Sequence, residues 1–289
     1  MEEGYFRPGY VTCEAEGVNA SSTAMVDAAD LLPFVPAMPK PAPEKVPWHF
    51  TKMAWAATLH YVAMSIGQRH YPHYQHHRDT SLTGYAAYWL RSWFRKAINW
   101  HADHALVSRL VAQGQPFFFV PLQTPGDSQI HLHSRFESIE NFIDEVIESF
   151  AAHAKPQVQL LFKQHPMSRG GALMDRYILR AAQRRGVARR VHYVTEAHNP
   201  TVLNHCQGVV LINSTLGLQA LARYVPVKAL GESFYDQPGL TDPQALATFW
   251  RQPQRPGAHT PDWLHLLKCR TQVPCSVYAL NSEVWKALG

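Results

Sequence analysis

Between residues 117 and 230, short apolar runs alternate with segments of helical periodicity, and this alternation limits the fold more than any other feature. Buried strands are predicted at residues 117–122, 158–162, 190–194, 208–212 and 227–230. Helices are predicted between them at residues 139–153, 173–185, 199–205 and 216–223. Strands and helices that alternate in this way form a parallel sheet with helices on both faces. We therefore predict an α/β fold with a doubly wound, Rossmann-type sheet.

The remaining chain is predicted to form three further parts around this domain, which we place at residues 113–242. Residues 1–47 hold a short polar motif and, from residue 31, a proline-rich stretch typical of a linker. Residues 48–112 are rich in alanine, aromatic residues and histidine at helical spacing, most clearly at 54–68 and 85–104, and predict a helical segment. Residues 243–289 are predicted to form a tail of helix and loop.

Composition and charge narrow the classes of partner. The chain has 289 residues, of which 46% are hydrophobic and 17% charged, as in a globular protein. A formal net charge of +5 favours anionic partners such as a nucleotide, an acidic sugar or anionic lipid. The basic residues are scattered, so nucleic acid is the weaker choice.

The four cysteines form no C-x-x-C pair and predict a reduced, cytosolic protein. The opening Met-Glu-Glu-Gly lacks a signal sequence, and the apolar runs are too short for a transmembrane span.

Two polar clusters follow two of the predicted strands. Lys163 and His165, with Pro166, end the second strand, and Asn213-Ser214-Thr215 ends the fourth. Ligands of open α/β sheets bind beyond the carboxyl ends of the strands, where helix N-termini favour phosphate. Either cluster alone is typical of a surface lysine beside a turn proline or of an ordinary helix N-cap. Together they favour a nucleotide-phosphate site.

Three further motifs carry polar groups whose chemistry has two interpretations. Gln123-Thr-Pro-Gly-Asp127-Ser128 follows the first strand and suits a polyhydroxylated sugar, but Pro-Gly-Asp also makes an ordinary turn. Glu2-Glu3-Gly-Tyr-Phe-Arg7 offers adjacent carboxylates for nucleophilic or acid–base work, or simply a solvated segment. Residues 235–241 are either a loop that closes over the nucleotide or a structural turn.

Histidines are concentrated at residues 70–77 and at His101 and His104. They lack the H-E-x-x-H spacing of a zinc site, and Pro72 interrupts the first stretch. We therefore assign no metal ion and no cofactor. A metal-dependent hydrolase is the third-ranked hypothesis, which elemental analysis of the purified protein would test.

Taken in order, these motifs resemble the capsule polysaccharide biosynthesis/export family, in particular its KpsS-like members. The ordered set is Glu-Glu-Gly-Tyr-x-Arg-Pro, Pro-Leu-Gln-x-x-x-Asp-Ser-Gln-Ile, Lys-x-His-Pro, Asn-Ser-Thr-x-Gly and Gly-x-x-x-Tyr-Asp-x-Pro-Gly-Leu-Thr. Such members are similar to retaining β-Kdo glycosyltransferases that use CMP-Kdo to build a lipid-linked capsule anchor. The resemblance implies a GT-B arrangement of two Rossmann-like domains, with CMP-Kdo as the donor substrate.

The resemblance also implies roles for individual residues. Positions that match the surroundings of CMP are Lys163, His165, Pro166, Asn213, Ser214 and Thr215. Sugar-facing positions are Arg7, Gln123 and Ser128, and the catalytic positions are Glu3, Glu2 and Asp127. Related Kdo transferases carry aspartate as the nucleophile where this chain has Glu3, so the division of roles between Glu2 and Glu3 stays open.

In the family, most of an N-terminal Rossmann domain precedes the Glu-x-Gly motif, which here begins at Glu2. The resemblance therefore implies an incomplete N-terminal domain, with residues 1–47 as its remnant and a linker. We expect the backbone groups around Glu3 to lack partners.

The implied function is transfer of Kdo from CMP-Kdo to a phosphatidylglycerol-type lipid, at the inner face of the bacterial inner membrane together with other capsule assembly proteins. The alternative is a non-catalytic nucleotide- or polysaccharide-binding subunit of capsule export, including an inactive truncated paralogue.

Overall fold

A computed structural model of the protein describes residues 2–7, 9–22, 25, 28–40, 42–43, 49–68, 70–71, 73, 82–171 and 173–275. The chain forms two compact units. Unit 1 comprises Met1–Arg91 and His265–Gly289, and unit 2 comprises Ser92–Leu264.

The helices and strands have the following bounds in chain order. They are β1 (Glu2–Glu3), β2 (Val11–Thr12), α1 (Ala28–Leu31), α2 (His49–Gly67), α3 (Leu82–Ala112), β3 (Phe117–Pro121), α4 (Ser128–Leu132), α5 (Ile139–His153), β4 (Gln159–Lys163), α6 (Asp175–Arg184), β5 (Val191–Val194), α7 (Asn199–His205), β6 (Gly208–Leu211), α8 (Leu216–Leu221), β7 (Val227–Ala229), α9 (Leu246–Phe249), α10 (Thr260–Thr271) and β8 (Gln272–Val273). Short 3-10 helices occupy Asn19–Ser21, Leu32–Ala37, Pro166–Ser168 and Ala188–Arg190.

Unit 2 contains a five-stranded sheet in the order β5-β4-β3-β6-β7, and every neighbouring pair is parallel. In the register, Phe119 lies opposite Leu161 on one side and Val209 on the other. The predicted α/β class and the parallel Rossmann-type sheet are confirmed. Strands this apolar are expected in a parallel sheet because both of its faces are covered by helices.

The two faces of the sheet are distinguished by alternate residues of β3. Phe118 and Val120 belong to a core that also takes in Phe142 and Phe150 of α5 and Ile178 of α6. Phe117 and Phe119 alternate with them and are also fully buried, because successive side chains of a strand point to opposite faces. Helix α7 contacts β3, and α8 contacts β6 and β7. Helices therefore cover both faces.

The strand order defines where a ligand is expected. From the central strand β3 the chain moves outward through β4 to β5, and it then returns to the other side of β3 to form β6 and β7. The order thus reverses between β3 and β6. Loops that leave the carboxyl ends of two such strands diverge and leave a crevice, which is where open α/β sheets bind ligands.

Unit 1 contains a small antiparallel sheet in the order β1-β2-β8. Glu3 lies opposite Val11, and the Gly4 N–H donates to the Tyr10 carbonyl over 2.9 Å. The Tyr5 N–H donates to the side chain of Gln272 over 2.9 Å. The prediction that backbone groups around Glu3 lack partners is therefore wrong.

The sequence also mispredicts two local elements, for a common reason. The tail predicted as helix and loop contains β8, which pairs with β2, and the polar motif after β3, for which no helix is predicted, leads into the short helix α4. Both are too short for periodicity to reveal them. By contrast, α2 and α3 confirm the two helices predicted in the middle segment. Helix α2 begins five residues before its predicted start and ends one residue before its predicted end, and α3 extends beyond both predicted ends. None of the helices in the described ranges combines the length and apolar character needed to cross a bilayer.

Candidate functional site

Lys163 is the last residue of β4 and lies beside the central strand at the carboxyl edge of the sheet. Its side chain is buried, and its Nζ donates to Asn199 Oδ1 over 2.5 Å. Burial lowers the pKa of the Lys163 ammonium to about 8, against the opposing effect of the Glu196 carboxylate. The hydrogen-bond partner described for this buried ammonium is a neutral amide, and a compact positive charge in such a place suits an incoming phosphate.

His165 and Pro166 begin the turn that follows β4. Pro166 is the first residue of the 3-10 helix Pro166–Ser168, where its missing N–H costs nothing. His165 is the N-cap, and its Nδ1 accepts a hydrogen bond from the Met167 N–H over 3.2 Å. This bond fixes Nδ1 as the acceptor, so Nε2 is left as the ring nitrogen that can carry a proton.

Gln123 and Asn213 join the loops on the two sides of the crevice between β3 and β6. Gln123 Nε2 donates to Asn213 Oδ1 over 3.0 Å, and the Asn213 N–H donates to Gln123 Oε1 over 3.4 Å. Asn213 Nδ2 also donates to the carbonyl of Gln129 over 2.9 Å and to that of His133 over 3.3 Å. Both side chains are buried. Asn213 thus uses its amide to hold together the loops on the two sides of the crevice.

Asp127 and Ser128 lie in the same loop. The Asp127 carboxylate accepts from Gln123 Nε2 over 3.2 Å and caps α4 by accepting from the Gln129 N–H over 3.0 Å. Ser128, the first residue of α4, is exposed. Asp127 is therefore tied to Gln123, and through Gln123 to Asn213, in the loop for which sugar binding is predicted.

Ser214 and Thr215 precede α8, a helix of six residues. Ser214 Oγ accepts from the Leu216 N–H over 3.3 Å, and its carbonyl accepts from the buried hydroxyl of Tyr235 over 2.5 Å. Within the described residues Thr215 makes no side-chain capping bond. Burial raises the pKa of the Tyr235 phenol, so this hydroxyl stays a hydrogen-bond donor. The Tyr235 motif therefore supports the Asn-Ser-Thr turn from behind.

Gly217 is the glycine that this contact requires. A Cβ built there would lie 2.7 Å from two ring carbons and the hydroxyl oxygen of Tyr235, a side chain that is itself fully buried. We expect Gly217→Ala to lower the free energy of unfolding by about 1–3 kcal/mol, because the ring has no space to move into. Urea unfolding measures this. Gly126→Ala is the control, since nothing lies within 4 Å of its Cβ position; equal losses in the two variants would contradict the packing argument.

A third group at this edge was missed by sequence reasoning. Asp103 of α3 is buried, and its Oδ2 accepts from the Thr195 N–H over 2.8 Å, the Thr195 hydroxyl over 2.9 Å and the Glu196 N–H over 2.8 Å. Glu196 forms an ion pair with Arg169, and both side chains are largely buried. These residues fix the loops after β5 and β4 around Lys163. Their sequence separation of up to 93 positions leaves no local signal that could have revealed them.

The remaining predicted residues belong to unit 1. The backbone of Glu2 and Glu3 forms β1, and their side chains lie outside the described part of the structure. Arg7 is exposed, and its Nε donates to the Gly4 carbonyl over 3.3 Å. The roles assigned to these three residues stay predictions.

Within the described ranges, no three or more histidine, cysteine, aspartate or glutamate side chains are grouped so that they could hold an ion. Most of the histidine-rich stretch at residues 70–77 lies outside those ranges. His104 Nδ1 lies 2.8 Å from the Trp100 carbonyl and its ring stacks on Trp100, as in an ordinary packed histidine.

The fold and this site define an α/β protein whose parallel sheet presents a buried lysine and an amide-linked crevice at its carboxyl edge. The chain belongs to the family described as capsule polysaccharide biosynthesis protein, which it matches over residues 1–278.

Curated relatives agree with this family. The capsule polysaccharide modification protein LipB of Neisseria meningitidis serogroup B is 39% identical over 265 residues, which cover 89% of this chain and 62% of LipB. The capsule polysaccharide export protein KpsS of Escherichia coli is 35% identical over 258 residues, which cover 89% of this chain and 66% of KpsS. This chain therefore spans a little under two thirds of the length of these relatives.

Two solved structures show a more distant likeness. KpsC of Thermosulfurimonas dismutans, a beta Kdo 2,7 transferase, aligns with a TM-score of 0.37 at 17% identity, over 57% of this chain and 53% of KpsC. HepE of Anabaena, solved in complex with UDP and glucose, aligns with a TM-score of 0.39 at 16% identity, over 63% of this chain and 51% of HepE. Likeness at this level carries no information about ligands.

Proposed function

We propose that this protein is a glycosyltransferase of capsule assembly that binds the nucleotide of a CMP-activated sugar at the carboxyl edge of the unit 2 sheet. The observation that carries the proposal is Lys163, a buried ammonium whose described side-chain hydrogen bond goes to a neutral amide. A phosphate would supply an opposite charge at this group, in addition to the electrostatic effect of the Glu196 carboxylate.

The leaving group explains why a cation is needed at this place. When a CMP-activated sugar loses CMP, negative charge develops on the departing phosphate. A preorganised ammonium and an imidazole N–H in a partly dry site stabilise that charge more than water does. Lys163 and His165 supply these two groups, while Gln123 and Asn213 keep the loops on either side of the crevice in register.

The finer assignment follows the family. We propose Kdo as the transferred sugar, CMP-Kdo as the donor and a phosphatidylglycerol-type lipid as the acceptor, with Arg7, Gln123 and Ser128 facing the sugar. Glu3, Glu2 and Asp127 are the proposed catalytic carboxylates. The proposed place of action is the inner face of the bacterial inner membrane, together with other capsule assembly proteins. The name of the KpsS relative, an export protein, also favours the second candidate, a non-catalytic nucleotide- or polysaccharide-binding subunit.

Thermal unfolding with nucleotides tests the binding step. We expect CMP to raise the melting temperature more than UMP or GMP does, because the motifs around Lys163 and Asn213 resemble those that surround CMP in the family. A ligand at ~100 times its dissociation constant adds about 2.7 kcal/mol to stability, so the shift is measurable. Lys163→Met and His165→Ala should each remove the shift. The matched control is Lys155→Met, which changes an exposed lysine of the same unit. An absent CMP shift, or an equal shift with all three nucleotides, contradicts the proposal.

Product analysis separates the two candidate functions. Incubation with CMP-Kdo and a phosphatidylglycerol-type acceptor should release CMP and give a Kdo-lipid product if the protein is a transferase. A protein that shows the CMP shift but releases no CMP fits the binding subunit instead.

A further inference from the structure

The outer side of α3 within unit 2 is unusually apolar. Trp93, Phe94 and Ile98 expose 57%, 67% and 58% of their surface, and Ala97 between them is also exposed. At 100° per residue these four positions form one continuous stripe along the helix. We call them the α3 surface. Large apolar side chains grouped in this way mark a site of interaction rather than ordinary solvent-facing helix.

Between Ser92 and Asp103 the opposite side of the same helix is polar and faces the protein, whereas further along the buried residues are the apolar Val107 and Leu110. Ser92 and Asp103 are buried, and Asp103 binds the loop after β5 as described above. Ser92 Oγ accepts from Arg169 over 3.4 Å. Between Ser92 and Asp103 the helix thus reverses the usual arrangement, in which a surface helix turns its apolar stripe toward the core. Water alone does not favour such an orientation, so the α3 surface is suited to a non-aqueous partner.

Charge selects the kind of partner. Asp103 is the single acidic residue of α3, and it is buried on the inner side. Lys96 is exposed beside the stripe. Arg95 donates to the carbonyls of Arg169 and Gly171 over 2.7 and 2.5 Å, and these neutral partners leave its charge uncompensated. A stripe of Trp, Phe and Ile with cations and no exposed carboxylate is the pattern of helices that lie in an anionic lipid interface.

We propose that the α3 surface is a lipid-binding face, which inserts Trp93, Phe94 and Ile98 at the level of the headgroups of an anionic membrane. The proposal deepens the function above, since it rests on the membrane as the place of a lipid acceptor and names the surface that would contact it. A second copy of this chain fits less well, because a symmetric contact through this face would bring like charges such as Lys96 toward each other.

Vesicle co-sedimentation tests the proposal. We expect the protein to bind vesicles that contain phosphatidylglycerol, to bind pure phosphatidylcholine vesicles weakly, and to lose binding as salt increases. The triple variant Trp93→Gln, Phe94→Gln, Ile98→Gln should bind at least about tenfold more weakly. The matched control is Leu132→Gln with Leu179→Gln, two exposed apolar residues elsewhere in unit 2, which should bind like the unmodified protein.

The outcomes distinguish this proposal from the nucleotide site. Unchanged vesicle binding by the triple variant, or no preference for phosphatidylglycerol, would overturn the lipid-binding face. Self-association in place of vesicle binding would overturn it as well. In that case the unmodified protein would not bind vesicles and would form oligomers in sedimentation, whereas the triple variant would be monomeric. The CMP shift should persist in the triple variant, because none of its changes lies at the carboxyl edge of the sheet. A missing CMP shift in the unmodified protein would refute the nucleotide site alone.

Discussion

Replacing Asp103 by alanine is expected to lower the free energy of unfolding by about 3–5 kcal/mol. The substitution removes the acceptor of three hydrogen bonds of 2.8–2.9 Å, from the N–H and hydroxyl of Thr195 and the N–H of Glu196. All three donors would then be left in a partly buried place without their partner, and an orphaned buried donor costs more than the bond contributed. Urea unfolding followed by circular dichroism measures the loss.

Two control variants separate the hydrogen bonds from the charge. Asp103→Asn keeps an acceptor oxygen and should lose less, about 1–2 kcal/mol. Asp262→Ala removes an exposed carboxylate from the first turn of α10 and should cost under about 1 kcal/mol. If Asp103→Ala proves no more damaging than Asp262→Ala, then Asp103 does not hold the loop after β5.

Nucleotide binding is expected to weaken as the pH rises above 8, by about tenfold per pH unit. The physical reason is that burial lowers the pKa of Lys163 to about 8, and the neutral amine that forms above this value cannot balance a phosphate. Titration calorimetry with CMP from pH 7 to pH 9.5 measures the effect. Lys163→Met should bind weakly and lack this dependence, so a dependence that survives in Lys163→Met would contradict the role of the lysine.

In the protein without ligand, the pH dependence that Lys163 gives to stability has the opposite sign to the one it gives to nucleotide binding. Because its pKa in the folded protein, about 8, lies below the ordinary 10.5, the unfolded chain binds more protons between these values. Its contribution to the free energy of unfolding therefore increases from pH 8 to pH 10.5, by up to about 3 kcal/mol. Desolvation raises the pKa of the half-buried phenol of Tyr193 and of the buried phenol of Tyr235, and these two shifts lower the free energy of unfolding above pH 10. The quantity to measure is thus the free energy of unfolding of the unmodified protein minus that of Lys163→Met. This difference should increase from pH 8 to pH 10.5, because the methionine side chain does not titrate.

The parallel sheet could be predicted from the sequence because each of its strands is nearly uniformly apolar and lies between segments of helical periodicity. The predicted strand at residues 158–162 differs from β4, Gln159–Lys163, by a single position at each end. Sheet order was a different matter. The position of β6 next to β3 depends on a crossover between residues about 90 positions apart, such as Phe118 and Gly208, and no local pattern reports it.

The small antiparallel sheet of unit 1 could not be predicted from local sequence signals. Strands of two residues, such as Val11–Thr12, have too few positions to show alternation. Their partner in the sheet, Gln272–Val273, lies more than 250 positions away. The expectation of an unpaired segment around Glu3 was wrong for that reason.

By itself the sequence determined the class of fold, the family and the polar residues at the strand ends, because strand burial and turn chemistry depend on neighbouring residues. Only the tertiary structure determined which partner each of those side chains binds. It showed Asn213 occupied with Gln123, Lys163 paired with Asn199, and Asp103 beneath the loop after β5. Hydrogen bonds and burial depend on which atoms meet in space, and chain folding brings these atoms together from distant positions.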